Sequence, residues 1–153
     1  MGASAVRGRP LTVFLAVAVA ALLLDQATKV LASASLSPVV SVTLIGPVRL
    51  TLTQNSGFAF GLLPGTAVFG VKLLVTLGVL WYVTLGKGLL RHPDYALGLG
   101  LVFGGSLGNL VDRFRTGAVI DFIDLRIWPV FNVADIAITL GVGLVMIRLL
   151  RAR

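Results

Sequence analysis

The chain has 153 residues, of which 57% are hydrophobic and only 12% are charged. Charged residues make up about a quarter of a typical soluble domain, so this composition excludes an ordinary soluble domain and favours a membrane protein. The net charge of +7 comes without a continuous basic face or an aromatic platform, which argues against nucleic-acid binding. The absence of cysteine excludes disulfides, thiolate metal sites and a cysteine nucleophile.

Four apolar segments are long enough to cross a bilayer core, which takes about 20 helical residues. The first, at 11–34, also resembles a secretory signal peptide, because Ala32-Ser33-Ala34 imitates a cleavage site. Since Asp25 and Lys29 lie between the apolar stretch and that tripeptide, we predict a retained span. The prediction is a single, mainly α-helical integral membrane domain over 1–153 with four transmembrane helices, at 11–34, 66–85, 95–113 and 131–150.

Basic residues occur at the N-terminus, in the connection after the second span and at the C-terminus, with Arg9, Lys87 and Arg151 as examples. With four spans, these three places lie on one side of the membrane, which is cytoplasmic by the positive-inside rule. Both termini are therefore predicted to be cytoplasmic. The same arrangement puts every aspartate except Asp94 on the outer side, where ionisable groups near hydrocarbon are usually functional.

Residues 40–60 do not have a helical pattern. Val48, Leu50 and Leu52 alternate with polar residues, a similar alternation precedes them, and Gly46-Pro47 between the two runs is a turn signal. This pattern predicts a small β-hairpin at the outer membrane surface.

Two helical spacings predict polar contacts of the spans. Asp25 and Lys29 lie one turn apart, which favours a structural ion pair at the outer rim over a direct chemical role. In the third span, glycines recur every fourth residue and form a groove of small residues that leads to Asp112. These glycines are Gly100, Gly104 and Gly108.

The segment before the fourth span carries two aspartates. If 119–127 is extended, Asp121 lies on the apolar face, whereas Asp124 lies on the opposite face and can pair with Arg126. An acid in apolar surroundings has a raised pKa, as a general acid requires.

The fourth span contributes Asp135, about one turn inside an apolar helix, and Asn132, which is either a helix cap or a functional residue. Two carboxylates that meet in a low dielectric cannot both ionise easily, so one holds a proton while the other activates water. Asp121 and Asp135 are therefore the predicted catalytic pair of an aspartic peptidase, with Asp112 in reserve. The sequence does not decide which of the pair carries the proton.

Other catalytic arrangements fit less well. Gly104-Gly105-Ser106-Leu107-Gly108 matches the G-x-S-x-G pattern by letters, but it lies within a predicted span instead of a strand-turn-helix. The single histidine, His92, is predicted on the cytoplasmic side, which argues against a serine triad and a histidine-ligated metal.

Five blocks, all predicted on the outer side, follow one another in a specific order. They are Asp25-Gln26-x-x-Lys29, Asn55-Ser56-Gly57-Phe58-Ala59-Phe60, Gly104-Gly105-x-x-Gly108-Asn109-x-x-Asp112-Arg113, Val119-Ile120-Asp121-Phe122-Ile123 and Phe131-Asn132-x-Ala134-Asp135. With these blocks, which span essentially the whole chain, the sequence resembles the lipoprotein signal peptidases, also called signal peptidase II.

The resemblance implies four transmembrane helices, an extracytoplasmic β-cradle at 40–60, and catalysis by Asp121 and Asp135 with no metal or other cofactor. The implied substrates are prolipoproteins that carry a diacylglyceryl group, cut before the modified cysteine at the outer face of the bacterial inner membrane. Globomycin-type cyclic peptides are the implied inhibitors. The connection between Asp121 and Phe131 is short for the family, which bears on how the site is covered. Substrate-binding or orienting roles fall on Asp25, Lys29, Asn55, Gly57, Gly108, Asn109, Asp112, Arg113, Asn132 and Ala134.

Two functions of other classes are alternatives. A small ion- or proton-coupled transporter would bind ions at the outer carboxylates, and a non-catalytic assembly subunit would use the glycine face for packing. Neither function predicts peptide cleavage. Membrane lipids are expected partners, and nothing in the sequence requires more than a monomer.

Overall fold

A computed structural model of the chain describes residues 3–38, 40–56, 74, 78 and 93–151. The predicted span at 66–85 therefore lies outside the described residues except for Leu74 and Gly78, which are both helical. Residues 57–60 of the predicted hairpin segment and the connection with Lys87 and His92 also lie outside them. The elements are α1 (Ala3–Ser35), β1 (Val42–Ile45), β2 (Val48–Asn55), α2 (Pro93–Thr116), β3 (Val119–Asp124) and α3 (Val133–Arg151).

Two helices within the described ranges are long and apolar enough to cross a membrane. They cover Pro10–Ser35, with a mean hydropathy of 1.9, and Val133–Arg151, with a mean hydropathy of 2.1. The remaining long helix of the described residues, α2, carries Arg113 and Arg115 in its last turn, where cations interact favourably with the helix dipole. The predicted first, third and fourth spans thus correspond to helices, although α1 begins at Ala3 and α3 begins at Val133.

Helix α2 lies between α1 and α3 because its glycines let both neighbours approach closely. A methyl group added at Gly100 would lie 2.8 Å from the carbonyl oxygen of Phe14 in α1, and one added at Gly104 would overlap the backbone of Ala18. On another face, a methyl group at Gly105 would lie 2.6 Å from the carbonyl oxygen of Ala134 in α3. The predicted glycine groove is confirmed, and a second set of glycines packs against the other helix.

The three strands form an antiparallel sheet in the order β1-β2-β3. The turn at Gly46 joins β1 to β2 with a φ of 54°, a left-handed conformation that glycine adopts without steric cost. Strand β2 continues to Asn55, which pairs with Val119, while Thr53 pairs with Asp121. The predicted hairpin is confirmed, and its second strand extends the sheet to β3.

The predicted extended segment 119–127 is wrong in its last three residues, since β3 ends at Asp124. Arg126 then adopts a φ of 67°, which turns the chain and brings Phe131 back to pair with Ile123. The predicted alternation of faces also fails, because Phe122 and Asp124 are buried as well as Asp121. Contacts on both sides of β3 replace the single apolar face that the sequence indicated.

We expect Gly104→Ala to lower the free energy of unfolding by about 1–3 kcal/mol, because the added methyl group would push against the α1 backbone. The matched control is Gly143→Ala in α3, where no described atom outside the local helix backbone lies within 4 Å of the added group. That control should be neutral or gain up to about 1 kcal/mol of helix propensity. Thermal unfolding of the detergent-purified variants measures both effects, and equal shifts would contradict the packing.

Candidate active site

Most of the buried polar side chains gather where α1, α2, β3 and the start of α3 meet. Within the described residues, eight polar or charged side chains are buried. Six of them belong to one hydrogen-bonded network: Asp25, Lys29, Asn109, Asp112, Asp121 and Asn132. Burial of polar groups is costly unless each has a partner, so this network specifies how the helices and the sheet fit together.

The charged part of the network is centred on Lys29 of α1, which is 2% exposed. Its Nζ lies 2.8 Å from Asp25 Oδ2 and 2.6 Å from Asp112 Oδ2. Asp25 Oδ1 also accepts the backbone N–H of Ala134 at 2.9 Å. The ion pair predicted between Asp25 and Lys29 is confirmed, and Asp112 and Ala134 extend it to α2 and α3.

The start of α3 contains Asn132, which contacts both predicted catalytic aspartates. Its Oδ1 accepts the backbone N–H of Asp135 at 3.0 Å, which is the bond of a helix cap. Its Nδ2 donates to Asp121 Oδ1 at 2.6 Å and lies 3.0 Å from Asn109 Oδ1. Asn132 is thus both a cap, as one prediction stated, and a link between Asp121 and Asp135.

Asn109 of α2 connects the charged cluster to Asp135. Its Oδ1 accepts a hydrogen bond from Lys29 Nζ at 2.9 Å, and its Nδ2 donates to Asp135 Oδ1 at 3.0 Å. The neighbouring Arg113 interacts electrostatically with the carboxylates of Asp121, Asp135 and Asp112. This part of α2 therefore brings a neutral amide and a guanidinium to the two aspartates.

Asp121 lies on β3 with 2% of its surface exposed, as expected for a buried position. Its surroundings are polar, however, because Asn132 contacts Oδ1 and the amide of Asn55 in β2 donates to Oδ2 at 3.1 Å. The prediction of an apolar setting is therefore wrong. Asn55 reaches Asp121 because β2 pairs with β3, and the pattern of residues within β3 alone does not reveal this partner.

Gln26 is a site residue that the predictions omitted. Its Nε2 lies 3.0 Å from Asp112 Oδ1 and 3.1 Å from the carbonyl oxygen of Gly108. A side chain at Gly108 would overlap the Asp25 carboxylate, so any other residue there would force this carboxylate to move. The signal for Gln26 was its place directly after Asp25 in the first block.

Gly57, the remaining predicted site residue, lies outside the described residues.

A cavity of about 340 Å³ opens beside Asp135. Most of its wall is apolar, and among the described lining residues Asp135 and Thr139 contribute a carboxylate and a hydroxyl. The other described lining residues are Leu125, Trp128, Phe131, Ile136 and Leu140. Such a cavity suits an apolar ligand that places a polar group next to a carboxylate.

Within the described residues, no group of three or more histidine, cysteine, aspartate or glutamate side chains is placed to hold a metal ion.

Asp124 lies apart from this network and holds the other end of the sheet. The predicted pairing with the Arg126 side chain is wrong, since Arg126 contributes its backbone N–H, 2.7 Å from Asp124 Oδ1. The salt bridge goes to Arg49 of β2 at 2.7 Å, and Thr51 also contacts the carboxylate. The N–H of Arg126, with smaller contributions from Thr51 and Arg49, lowers the pKa of Asp124 although burial opposes the shift.

Comparison with known proteins shows the family to which the chain belongs. A family described as "Signal peptidase (SPase) II" matches residues 17–151. The chain belongs to the signal peptidase II family. The lipoprotein signal peptidase of Moorella thermoacetica is 47% identical over 135 residues, which cover 84% of this chain and 87% of that protein. The lipoprotein signal peptidase of Halothermothrix orenii is 41% identical over 133 residues, with 84% and 88% covered.

A solved structure of a bacterial membrane enzyme, determined by the in meso method at 1.9 Å resolution, has the same fold. The TM-score is 0.80 at 31% sequence identity, over 92% of this chain and 94% of that one. Because it belongs to the signal peptidase II family, the protein is a protease. The family consists of bacterial membrane enzymes. The transporter and the assembly subunit are accordingly not favoured.

We expect Asn132→Ala and Asn132→Ser to separate the two contacts of this side chain. Serine retains an N-cap acceptor, whereas alanine does not, so the alanine variant should be less stable by about 1 kcal/mol. Both variants lack the amide that contacts Asp121, and both should lose most of the peptidase activity. Thermal unfolding and a cleavage assay on the same samples test this expectation. Activity that follows stability would show that Asn132 acts only as a cap.

The lowered pKa of Asp124 predicts a dependence of stability on pH. Because the folded state favours the ionised carboxylate, its contribution is present above the unfolded pKa of about 3.9 and is lost as the pH falls through the lower folded value. The difference in unfolding free energy between the unsubstituted protein and Asp124→Asn should be largest at neutral pH and should shrink below about pH 4. Thermal unfolding across this range measures it, and a constant difference would contradict the prediction.

Proposed function

We propose that the chain is an aspartic endopeptidase that removes the signal peptide from diacylglyceryl-modified prolipoproteins, with Asp121 and Asp135 as its catalytic pair. The cut lies before the lipid-modified cysteine. The main support for this pair is that one side chain, Asn132, bonds to the carboxylate of Asp121 and to the backbone of Asp135. The printed names of the relatives, lipoprotein signal peptidases, support the substrate class.

The reaction needs one ionised and one protonated carboxyl group. The ionised aspartate takes a proton from water while the water oxygen forms a bond to the scissile carbonyl carbon. The protonated aspartate donates to the carbonyl oxygen, which becomes the alcohol oxygen of a tetrahedral intermediate. When this intermediate collapses, the C–N bond breaks and the leaving nitrogen takes the proton that the base had removed from water. One hydroxyl of the intermediate returns its proton to the other aspartate, so both carboxyl groups regain their starting states. No metal or cofactor takes part in these steps.

The substrate is proposed to lie along the cavity beside Asp135. The apolar wall with Trp128 and Leu140 suits the acyl chains of the lipid or the apolar side chains of the signal peptide. With either of these groups in the cavity, the scissile peptide bond would lie near the Asp135 carboxylate. The substrate backbone is proposed to contact Arg113, Asn55 and Gly57. Globomycin-type peptides would compete with the substrate for the same binding site. Membrane lipids would surround the apolar outer surface.

The proposed topology has four spans, cytoplasmic termini and a catalytic site at the outer face of the bacterial inner membrane, in a single membrane domain that functions as a monomer. From Leu11 to Asp25 a helix rises about 21 Å of a core about 30 Å thick, so the cluster at Asp25 lies in the outer part of the bilayer. Arg148 and Arg151 at the end of α3 fit the cytoplasmic side.

We expect Asp121→Asn and Asp135→Asn each to lower the cleavage rate by at least about 10²-fold, because each substitution removes a proton-transfer group. The measurement uses the purified protein with a diacylglyceryl-modified precursor and follows release of the signal peptide by gel or mass spectrometry. An unmodified precursor should remain uncut, as a test of the lipid requirement.

Asp124→Asn is the matched control for these two variants. It removes the same charge from the same strand as Asp121, but its carboxylate contacts Arg49 and Thr51 instead of the asparagines of the site. It should cleave at a rate close to that of the unsubstituted protein. The proposal fails if the unsubstituted protein leaves the modified precursor whole, or if both catalytic variants cut normally.

A further inference from the structure

We infer that a groove beside the C-terminal end of α1 binds an anionic glycerophospholipid of the outer leaflet, with the phosphate on Arg115 and an acyl chain against Val30 and Ala34. The inference goes beyond the proposed function, because this lipid belongs to the surrounding membrane and is not cleaved. The groove is also a separate place, since it shares no described lining residue with the cavity beside Asp135.

The groove is a cavity of about 340 Å³ between the end of α1, the last turns of α2 and the start of β3. The apolar side chains on its described wall are Val30 and Ala34 of α1 and Ile120 of β3. Ser33 and Arg115 also line it, and both are exposed. An apolar wall with a hydroxyl and a guanidinium suits an amphipathic ligand.

Arg115 is the cation of the groove that a ligand can reach. Lys29 also lines the groove, but an ammonium has three N–H donors, and those of Lys29 are directed to Asp25, Asp112 and Asn109. In contrast, no described residue forms a salt bridge or a hydrogen bond with the side chain of Arg115. A guanidinium can bind two phosphate oxygens by parallel N–H bonds, so Arg115 suits a phosphate.

The charges around the groove favour a lipid with a phosphate and no ammonium group. Asp112 is the acid on the described wall, and its charge is offset by Lys29 at 2.6 Å. Asp25 does not line the groove, and it accepts the N–H of Ala134 in the first turn of α3, where the helix dipole is positive. The charge of Arg115 therefore remains for the ligand. A zwitterionic lipid would bring a second cation close to this guanidinium.

The height of the groove in the proposed topology matches the position of lipid headgroups. From Leu11 to Ser33 the helix rises about 33 Å, whereas the hydrocarbon core is about 30 Å thick. Deeper in the core, Leu23 is exposed on the same face of α1 as Val30, two turns away. An acyl chain that leaves the groove can therefore continue along α1, with its phosphate at the membrane surface.

Native mass spectrometry of the detergent-purified, delipidated protein tests this site by titration with dioleoyl-phosphatidylglycerol. We expect one lipid to bind more tightly than any further one, and Arg115→Gln to weaken this first step by at least about fivefold. The matched control is Arg126→Gln, which removes the same charge from another exposed arginine outside the groove and should weaken it by less than about twofold. Equal losses in the two variants would overturn the inference, because binding would then depend on net charge alone.

Two other ligands test the class of lipid in the same assay. Dioleoyl-phosphatidylcholine should bind at least about fivefold more weakly than dioleoyl-phosphatidylglycerol, because its ammonium opposes Arg115. Free glycerol phosphate should not displace the bound lipid, since it has no acyl chain for the apolar wall. Equal binding of the two lipids, or displacement by glycerol phosphate, would overturn the inference.

Filling the groove tests its apolar wall while Arg115 is retained. Ala34→Trp should weaken the first phosphatidylglycerol step by at least about fivefold, because the indole would occupy the place of the acyl chain. Ala27→Trp is its control, since Ala27 is exposed on the same helix and does not line the groove. Unchanged binding by Ala34→Trp would overturn the inference.

Thermal unfolding separates lipid binding from a purely structural role of Arg115 at the end of α2. A ligand that binds the folded state raises the Tm, so phosphatidylglycerol should raise it for the unsubstituted protein and for Arg126→Gln, but much less for Arg115→Gln. An equal rise in all three would overturn the inference. Asp121→Asn should bind the lipid like the unsubstituted protein, so failure of the peptidase proposal and failure of this inference are distinguishable.

Discussion

The buried ammonium of Lys29 is the interaction on which the rest of the structure depends. A buried charge is tolerated only when partners surround it, and Asp25 and Asp112 provide them from α1 and α2. This arrangement requires the two helices to lie close together. Gly104 and Gly108 of α2 permit that approach, because a side chain at either position would overlap α1. The glycine groove and the ion cluster are therefore two parts of one constraint.

Two asparagines connect this ion cluster to the aspartates by hydrogen bonds and add no charge. Two more ionised groups would raise the electrostatic cost of the site, whereas an amide offers a donor and an acceptor in a fixed relation. Asn109 receives the ammonium of Lys29 on one side and faces Asp135 on the other. Asn132 caps α3 and contacts Asp121. Local helix chemistry and the geometry of the site thus depend on the same side chain.

The three-stranded sheet completes the site. Strand β3 holds Asp121, and β2 brings Asn55 to its second oxygen. At the far end, the Arg49–Asp124 salt bridge joins the same two strands. The backbone N–H of Ile120 also bonds to Asp112 Oδ2 at 3.3 Å, which ties β3 to α2. The result is a sheet that is fixed to the helices on the side where the two aspartates lie.

The sequence by itself determined the type of protein and predicted most of the side chains that meet in the buried polar network. Composition indicated a membrane protein, the spacing of glycines predicted the packing face of α2, and the separation of Asp25 from Lys29 predicted their ion pair. These features are local, since helical periodicity decides which side chains share a face. The order of the five blocks also identified the family, and the aspartates Asp121 and Asp135 followed from the same blocks.

Only the tertiary structure decided how these residues are used. Asp121 was expected in apolar surroundings, but Asn55 and Asn132 reach it from other elements. Asp124 was expected to pair with its neighbour Arg126, but the strand ends there and Arg49 of another strand forms the salt bridge. Both errors have one physical cause. The partner of a buried polar group is chosen by which elements pack together, and periodicity within one segment contains no information about the segment that packs against it.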